Sequence, residues 1–175
     1  MRFAYTTAFL AIALGSCAAP QREAPAPAPP PPPAPVKPAP QPAPPPAADW
    51  SDWPMTPGDW SYSVQNGGSL ATYRAPDGAA LLAVRCDLGR HVVRFARPGA
   101  ASAARMSVRT TFGAVSWPAT VDGTPPQTFS ERAANDPALD QIAYSRGRFA
   151  IEIPGLAPLI APAWAELIRV VEDCR

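Results

Sequence analysis

Trp60, Tyr62 and Val64 stand at alternate positions, separated by Ser61 and Ser63, and a period of two marks a strand with one face turned inward. Asn66, Gly67 and Gly68 supply a turn, after which Leu70 to Ala75 resumes the extended pattern. Pro76, Asp77 and Gly78 fit a tight hairpin, because proline presets φ early in the turn and glycine takes a positive φ late in it. Ala79 to Cys86 is the next expected strand, Asp87, Leu88 and Gly89 turn, and Arg90 to Arg97 forms a further strand ending at Pro98 and Gly99. Beyond an alanine-rich loop, Met106, Val108, Thr110 and Phe112 alternate with Arg105, Ser107, Arg109 and Thr111, which places the first four on the inner face. The front half therefore predicts antiparallel sheet with one face covered.

The back half changes period. Asn135 or Asp136 caps a helix with Pro137 in its first turn; Leu139, Ile142 and Ala143 share a face, and Gly147 ends it. Phe149, Ile151 and Ile153 alternate as a strand stopped by Pro154 and Gly155. Pro162 then opens a last helix, in which Trp164, Leu167, Ile168, Val171 and Cys174 recur at three- and four-residue steps on one side. The predicted fold is α+β: an antiparallel β-meander or sandwich with two helices in the C-terminal half, the last of them packed on the sheet.

Everything before residue 49 lacks these periods. Residues 1–16 read as an export signal, with Arg2 ahead of an apolar stretch of 12 residues from Phe3 to Leu14. Leu14-Gly15-Ser16-Cys17 resembles the lipobox of bacterial lipoproteins, which implies that residues 17–19 hold the attachment site and that Cys17 is acylated and becomes the first mature residue. An ordinary secretory signal cut after Ser16 is the alternative. Ala18 in place of Asp after Cys17 resembles the signal for sorting to the outer membrane. Residues 20–48 form a Pro/Ala-rich linker: 15 of the 28 residues from Pro20 to Ala47 are proline, which cannot build a ladder or a helix interior. In polyproline II geometry this spacer extends on the order of 90 Å. Its Pro-x-x-Pro stretches between Pro27 and Pro46 also match ligands of aromatic grooves, although Lys37 is its only basic residue from Pro27 onward.

Residues 49–175 remain as a single globular domain, long enough to bury one core. It has 12 Arg, no Lys and 13 Asp plus Glu, a formal charge of −1, which argues against nucleic acid as a partner. One histidine, His91, leaves little room for a histidine-based metal centre, and neither metal nor cofactor is expected. Cys86 ends a strand and Cys174 ends the apolar stripe of the last helix; in an exported chain they read most economically as a disulfide, with a reactive thiol as the alternative.

The sequence contains no P-loop, dinucleotide glycine fingerprint, GxSxG elbow or HExxH motif, so no catalytic residues are assigned. His91 shares parity with Val93 and Phe95, as a half-buried structural histidine would. Asp136 and Asp140, and the adjacent Glu172 and Asp173, read as a helix cap and a solvated helix end before they read as paired catalytic carboxylates. Two surface sets are candidates for binding. Arg90, Arg94, Arg105 and Arg109 fall on the outward parity of successive strands and would align as a guanidinium patch for phosphate or carboxylate groups. Trp50, Trp53 and Trp60 would either clamp the entering chain or stack on a glycan or a partner.

Three stretches carry a resemblance to known proteins: Gly58-Asp59-Trp60, Leu82-Ala83-Val84-Arg85-Cys86, and Ala143 to Phe149 ahead of a helix ending in Cys174. Their layout is similar to exported β-rich proteins of the invasion-associated locus B type and to VasI-like accessory proteins of type VI secretion. The resemblance implies architecture and envelope location. The expected function is that of a cell-envelope lipoprotein, held by lipid on Cys17 at the outer membrane and facing the periplasm. Its non-catalytic domain would bind a cell-wall or envelope protein partner; a secretion accessory role, or a cell-wall hydrolase using His91 with a carboxylate, are the alternatives.

Overall fold

The computed structural model describes residues 49–175; the signal, Cys17 and the linker lie outside the described residues. Four strands come first, β1 (Asp59–Gln65), β2 (Gly68–Arg74), β3 (Ala80–Asp87) and β4 (Val92–Pro98), each antiparallel to the one before. There follow β5 (Arg105–Thr110), β6 (Gly113–Pro118), β7 (Thr120–Asp122), β8 (Gln127–Ala133), helix α1 (Pro137–Ala143), β9 (Phe149–Glu152), β10 (Leu159–Ala161) and helix α2 (Ala165–Asp173). One sheet has the order β1-β2-β3-β4-β8-β7 and the other β10-β9-β5-β6. The fold is thus α+β and β-rich, with α2 against the larger sheet.

Register explains which side is buried. Tyr62, Ala71, Val84, Phe95 and Ser130 lie opposite one another across β1, β2, β3, β4 and β8, so their side chains share a face. On that face α2 covers β1 to β3 with Leu167, Val170 and Val171, and the smaller sheet packs where Phe95 meets Trp117 at 5.3 Å between ring centroids. The opposite face has Thr72, Ala83, Ala96 and Phe129 in register, small or polar except for the last, which lies under the guanidinium of Arg94. Cys86, on the covered face, meets Cys174 at the end of α2 within disulfide-bonding distance, their Cα atoms 5.4 Å apart.

Four expectations need correction. The fourth strand starts at Val92, and His91 sits exposed in the preceding turn at φ 50° instead of half-buried in a strand. Phe112 does not extend the inner row of β5; it lies in the turn before β6 and is 60% exposed. Trp164 caps α2 without joining its buried stripe and is 47% exposed, while Val170 takes the inward place. The predicted guanidinium patch is divided, because the chain changes sheet between β4 and β5 and carries Arg105 and Arg109 away from Arg90 and Arg94. The helix cap is as expected: Asp136 accepts from the Ala138 amide at 2.8 Å and also pairs with Arg132.

Candidate functional site

A lead-in segment crosses the edge of the smaller sheet before β1 begins. It opens with a 3₁₀ turn at Trp50–Asp52, where the Asp49 carboxylate accepts from the Ser51 amide at 2.9 Å. The Arg148 guanidinium, just ahead of β9, donates to the carbonyls of Ser51 and Trp53, each at 3.1 Å. Three residues on, the Thr56 amide donates to the Ile160 carbonyl and the Thr56 hydroxyl accepts from the Ile160 amide, both at 3.0 Å. The Tyr73 hydroxyl donates to the Thr56 carbonyl at 2.6 Å, and burial pushes the Tyr73 phenol up from its ordinary range. Tyr73 in turn packs on Trp60, whose indole N–H donates to the Pro162 carbonyl at 2.9 Å.

The three candidate tryptophans therefore have different positions. Trp60 is a core clamp, 8% exposed. Trp50 lies half-buried in the 3₁₀ turn. Trp53, pinned on both sides, forms one wall of a groove of 350 Å³. The groove floor is the outer face of β5 and β9, where Ser107 and Glu152 are register partners and Arg105 opens β5. Residues 153–158 form the second wall. Gly155 (φ 87°) needs the left-handed conformation there, and Gly99 lets Leu156 approach so closely that a Cβ would meet it at 2.6 Å. The Ser102 amide donates to the Pro154 carbonyl at 2.8 Å, and the Arg97 guanidinium donates to Ala157 O at 2.7 Å and Leu81 O at 3.3 Å, tying this wall to the larger sheet.

Charge separates Arg105 from the other three arginines of the expected patch. Arg90 grips Glu131 with two hydrogen bonds, at 2.9 and 3.2 Å, and has Asp87 at 3.8 Å. Arg94 faces Asp122 at 3.7 Å, and Arg109 grips Glu152 at 3.0 and 3.3 Å. Arg105 makes no ion pair among the described residues and is exposed at the groove. A second groove, of 540 Å³, is lined by Arg90, His91, Asn135 and Arg175. Its cations are already occupied, Arg90 by Glu131 and Arg175 by Asp140 at 2.6 Å. The Nδ1 of His91 lies 3.1 Å from the Cys174 carbonyl oxygen, which can only accept, so Nδ1 carries the proton and the ring ties the turn to the end of α2. Among the described residues no group of three or more His, Cys, Asp or Glu is arranged to hold a metal ion.

The Arg90 clamp has a consequence for acid stability. Hydrogen bonding from Arg90 and its charge hold the Glu131 carboxyl below the ordinary glutamate range, against an opposing push from burial. A lowered folded-state value stabilises the fold above the unfolded pKa, about 4.3, and that contribution is lost as pH falls through the folded value. Thermal midpoints recorded from neutral pH downward are expected to fall less steeply in Glu131→Gln than in the wild type. Parallel curves would show that this clamp does not contribute.

Comparison with protein-family models, with curated proteins and with solved structures finds no match to this chain. Trp53 and Arg105 belong to separate sets in the sequence, and the fold brings them to one groove. For Glu152, Ser107 and the wall at 153–158 as parts of a site, the sequence offers only the Pro154-Gly155 turn as a signal.

Proposed function

We propose that this protein is a lipid-anchored component of a bacterial cell envelope, whose disulfide-linked domain binds an envelope ligand and catalyses no reaction. The observation that carries the anchor is the tetrapeptide Leu14-Gly15-Ser16-Cys17, placed where a 12-residue apolar stretch ends and followed after two alanines by the proline-rich spacer. Acyl chains on Cys17 supply the durable membrane attachment that a single chain does not. Among the described residues no helix is long and apolar enough to cross a membrane. The groove at Trp53 and Arg105 supports the binding half of the reading, since an aromatic wall and an uncompensated guanidinium are recognition groups more than reaction machinery.

A Cys17→Ser variant expressed in a diderm bacterium is expected to lose its acyl mass by intact-protein mass spectrometry and to leave the membrane fraction. A variant still lipidated, or still pelleting with membranes as the wild type does, would overturn the anchor.

A further inference from the structure

We propose that the groove between Trp53 and the β5–β9 floor is a binding site for a saccharide that carries a carboxylate. The inference deepens the reading of the domain as an envelope-binding module and rests on it. A pyranose ring has an apolar C–H face, which an indole ring covers well, and hydroxyls around its rim that demand hydrogen-bond partners. Trp53 supplies the flat apolar wall, and it is held in place through its own backbone carbonyl by Arg148 and through Thr56 by Ile160. On the floor, Ser107 and Glu152 present a hydroxyl and a carboxylate side by side. Glu152 is neutralised by Arg109 but keeps lone pairs to accept from sugar hydroxyls. Arg105 then stands at the groove with no carboxylate of its own among the described residues, and a guanidinium fork in that condition selects a ligand carboxylate. The groove volume, 350 Å³, lies within the range of small-molecule sites, about 300 to 1,000 Å³.

An extended peptide is the competing occupant, and the geometry disfavours it. An extended peptide joins a β-rich domain by adding a strand to an exposed sheet edge. The edge beside this groove is β10, and Thr56 already takes both the amide and the carbonyl of Ile160. What the groove offers instead is a row of side-chain groups, the form in which saccharides are recognised.

The test uses the full-length lipidated protein in detergent micelles, titrated calorimetrically with the disaccharide of N-acetylglucosamine and N-acetylmuramic acid. The neutral N-acetylglucosamine dimer and a short peptide with a free C-terminal carboxylate serve as comparison ligands. The acidic disaccharide is expected to bind at least about tenfold more tightly than the neutral one, the difference that one charge-assisted contact supplies. Arg105→Gln, a change at an exposed position that leaves the core intact, is expected to erase that preference, and Trp53→Ala to weaken both saccharides. Equal affinity for the two saccharides, a preference that survives Arg105→Gln, tighter binding of the peptide, or no binding by the wild type would each overturn the assignment. None of those results touches the lipid anchor, whose own test is the fate of the Cys17→Ser chain.

Discussion

Replacing Cys86 and Cys174 together with alanine is expected to lower the stability of the domain by about 4 to 5 kcal/mol in the chain-entropy account, because the bridge closes a separation of 88 residues. The whole net stability of a domain is typically about 5 to 15 kcal/mol, so the variant sits close to the folding threshold. The loss has a location as well as a size. Leu167, Val170 and Val171 bury one face of the nine-residue α2 against the first three strands, and a helix that short has little stability of its own in water. The bond to β3 is its covalent restraint; beyond it the far end of the helix is held by the Tyr62 hydroxyl donating to Asp173 at 2.7 Å and by His91 on the Cys174 carbonyl. Urea unfolding should show a midpoint displaced well to lower denaturant in the double variant, and a similar displacement in the wild type under reductant. Coincident wild-type curves with and without reductant would remove the bridge from the account of stability.

Arg97→Met should cost about 1 to 3 kcal/mol, since it removes two part-buried hydrogen bonds, each contributing about 0.5 to 1.5 kcal/mol. Arg97 is only 8% exposed, and burial pulls its guanidinium below the ordinary arginine value. It has no carboxylate partner among the described residues and is held by the carbonyls of Leu81 and Ala157. Methionine approximates the aliphatic stem, so the change isolates the hydrogen bonds from the packing. Arg97→Lys should rescue little, because an ammonium lacks the planar fork that reaches both oxygens. A guanidinium stays protonated throughout the accessible range, so the loss should be the same at pH 6 as at pH 8. Ala157 belongs to the loop that walls the groove, and Arg97→Met should therefore weaken the proposed saccharide binding as well as lower the unfolding midpoint. Full stability in that variant would show that the two carbonyls find other partners.

The contrast between what could be read from the chain and what could not has local causes. The hairpins of the first four strands were legible because Asn66-Gly67 and Pro76-Asp77-Gly78 interrupt clean alternation, and the cap at Asp136 because Pro137 follows it. The strands from 113 to 133 were not legible. In β8 the buried positions Thr128 and Ser130 are polar and satisfy themselves on the carbonyls of Gly99 and Pro118 at 2.8 Å each, which erases the apolar period. In β10 all three residues are buried, so nothing alternates. Parity correctly placed Arg94 and Arg109 on the outer side of their strands. It carries no information about a change of sheet, and this alone separates the four arginines. For the groove, the residues were visible and the assembly was not, because Trp53 comes to line the same groove as Arg105 through the docking of residues 50–56 on β10 and on Arg148.

That docking makes the lead-in a mechanical element. Load entering the domain at Asp49 meets the two Arg148 bonds first and the Thr56 pair next, and both must slip before tension arrives at β1. A pull on Asp49 would thus shift Trp53 while the sheets and the sulfur link stay at rest, so the groove would change shape before the fold yields.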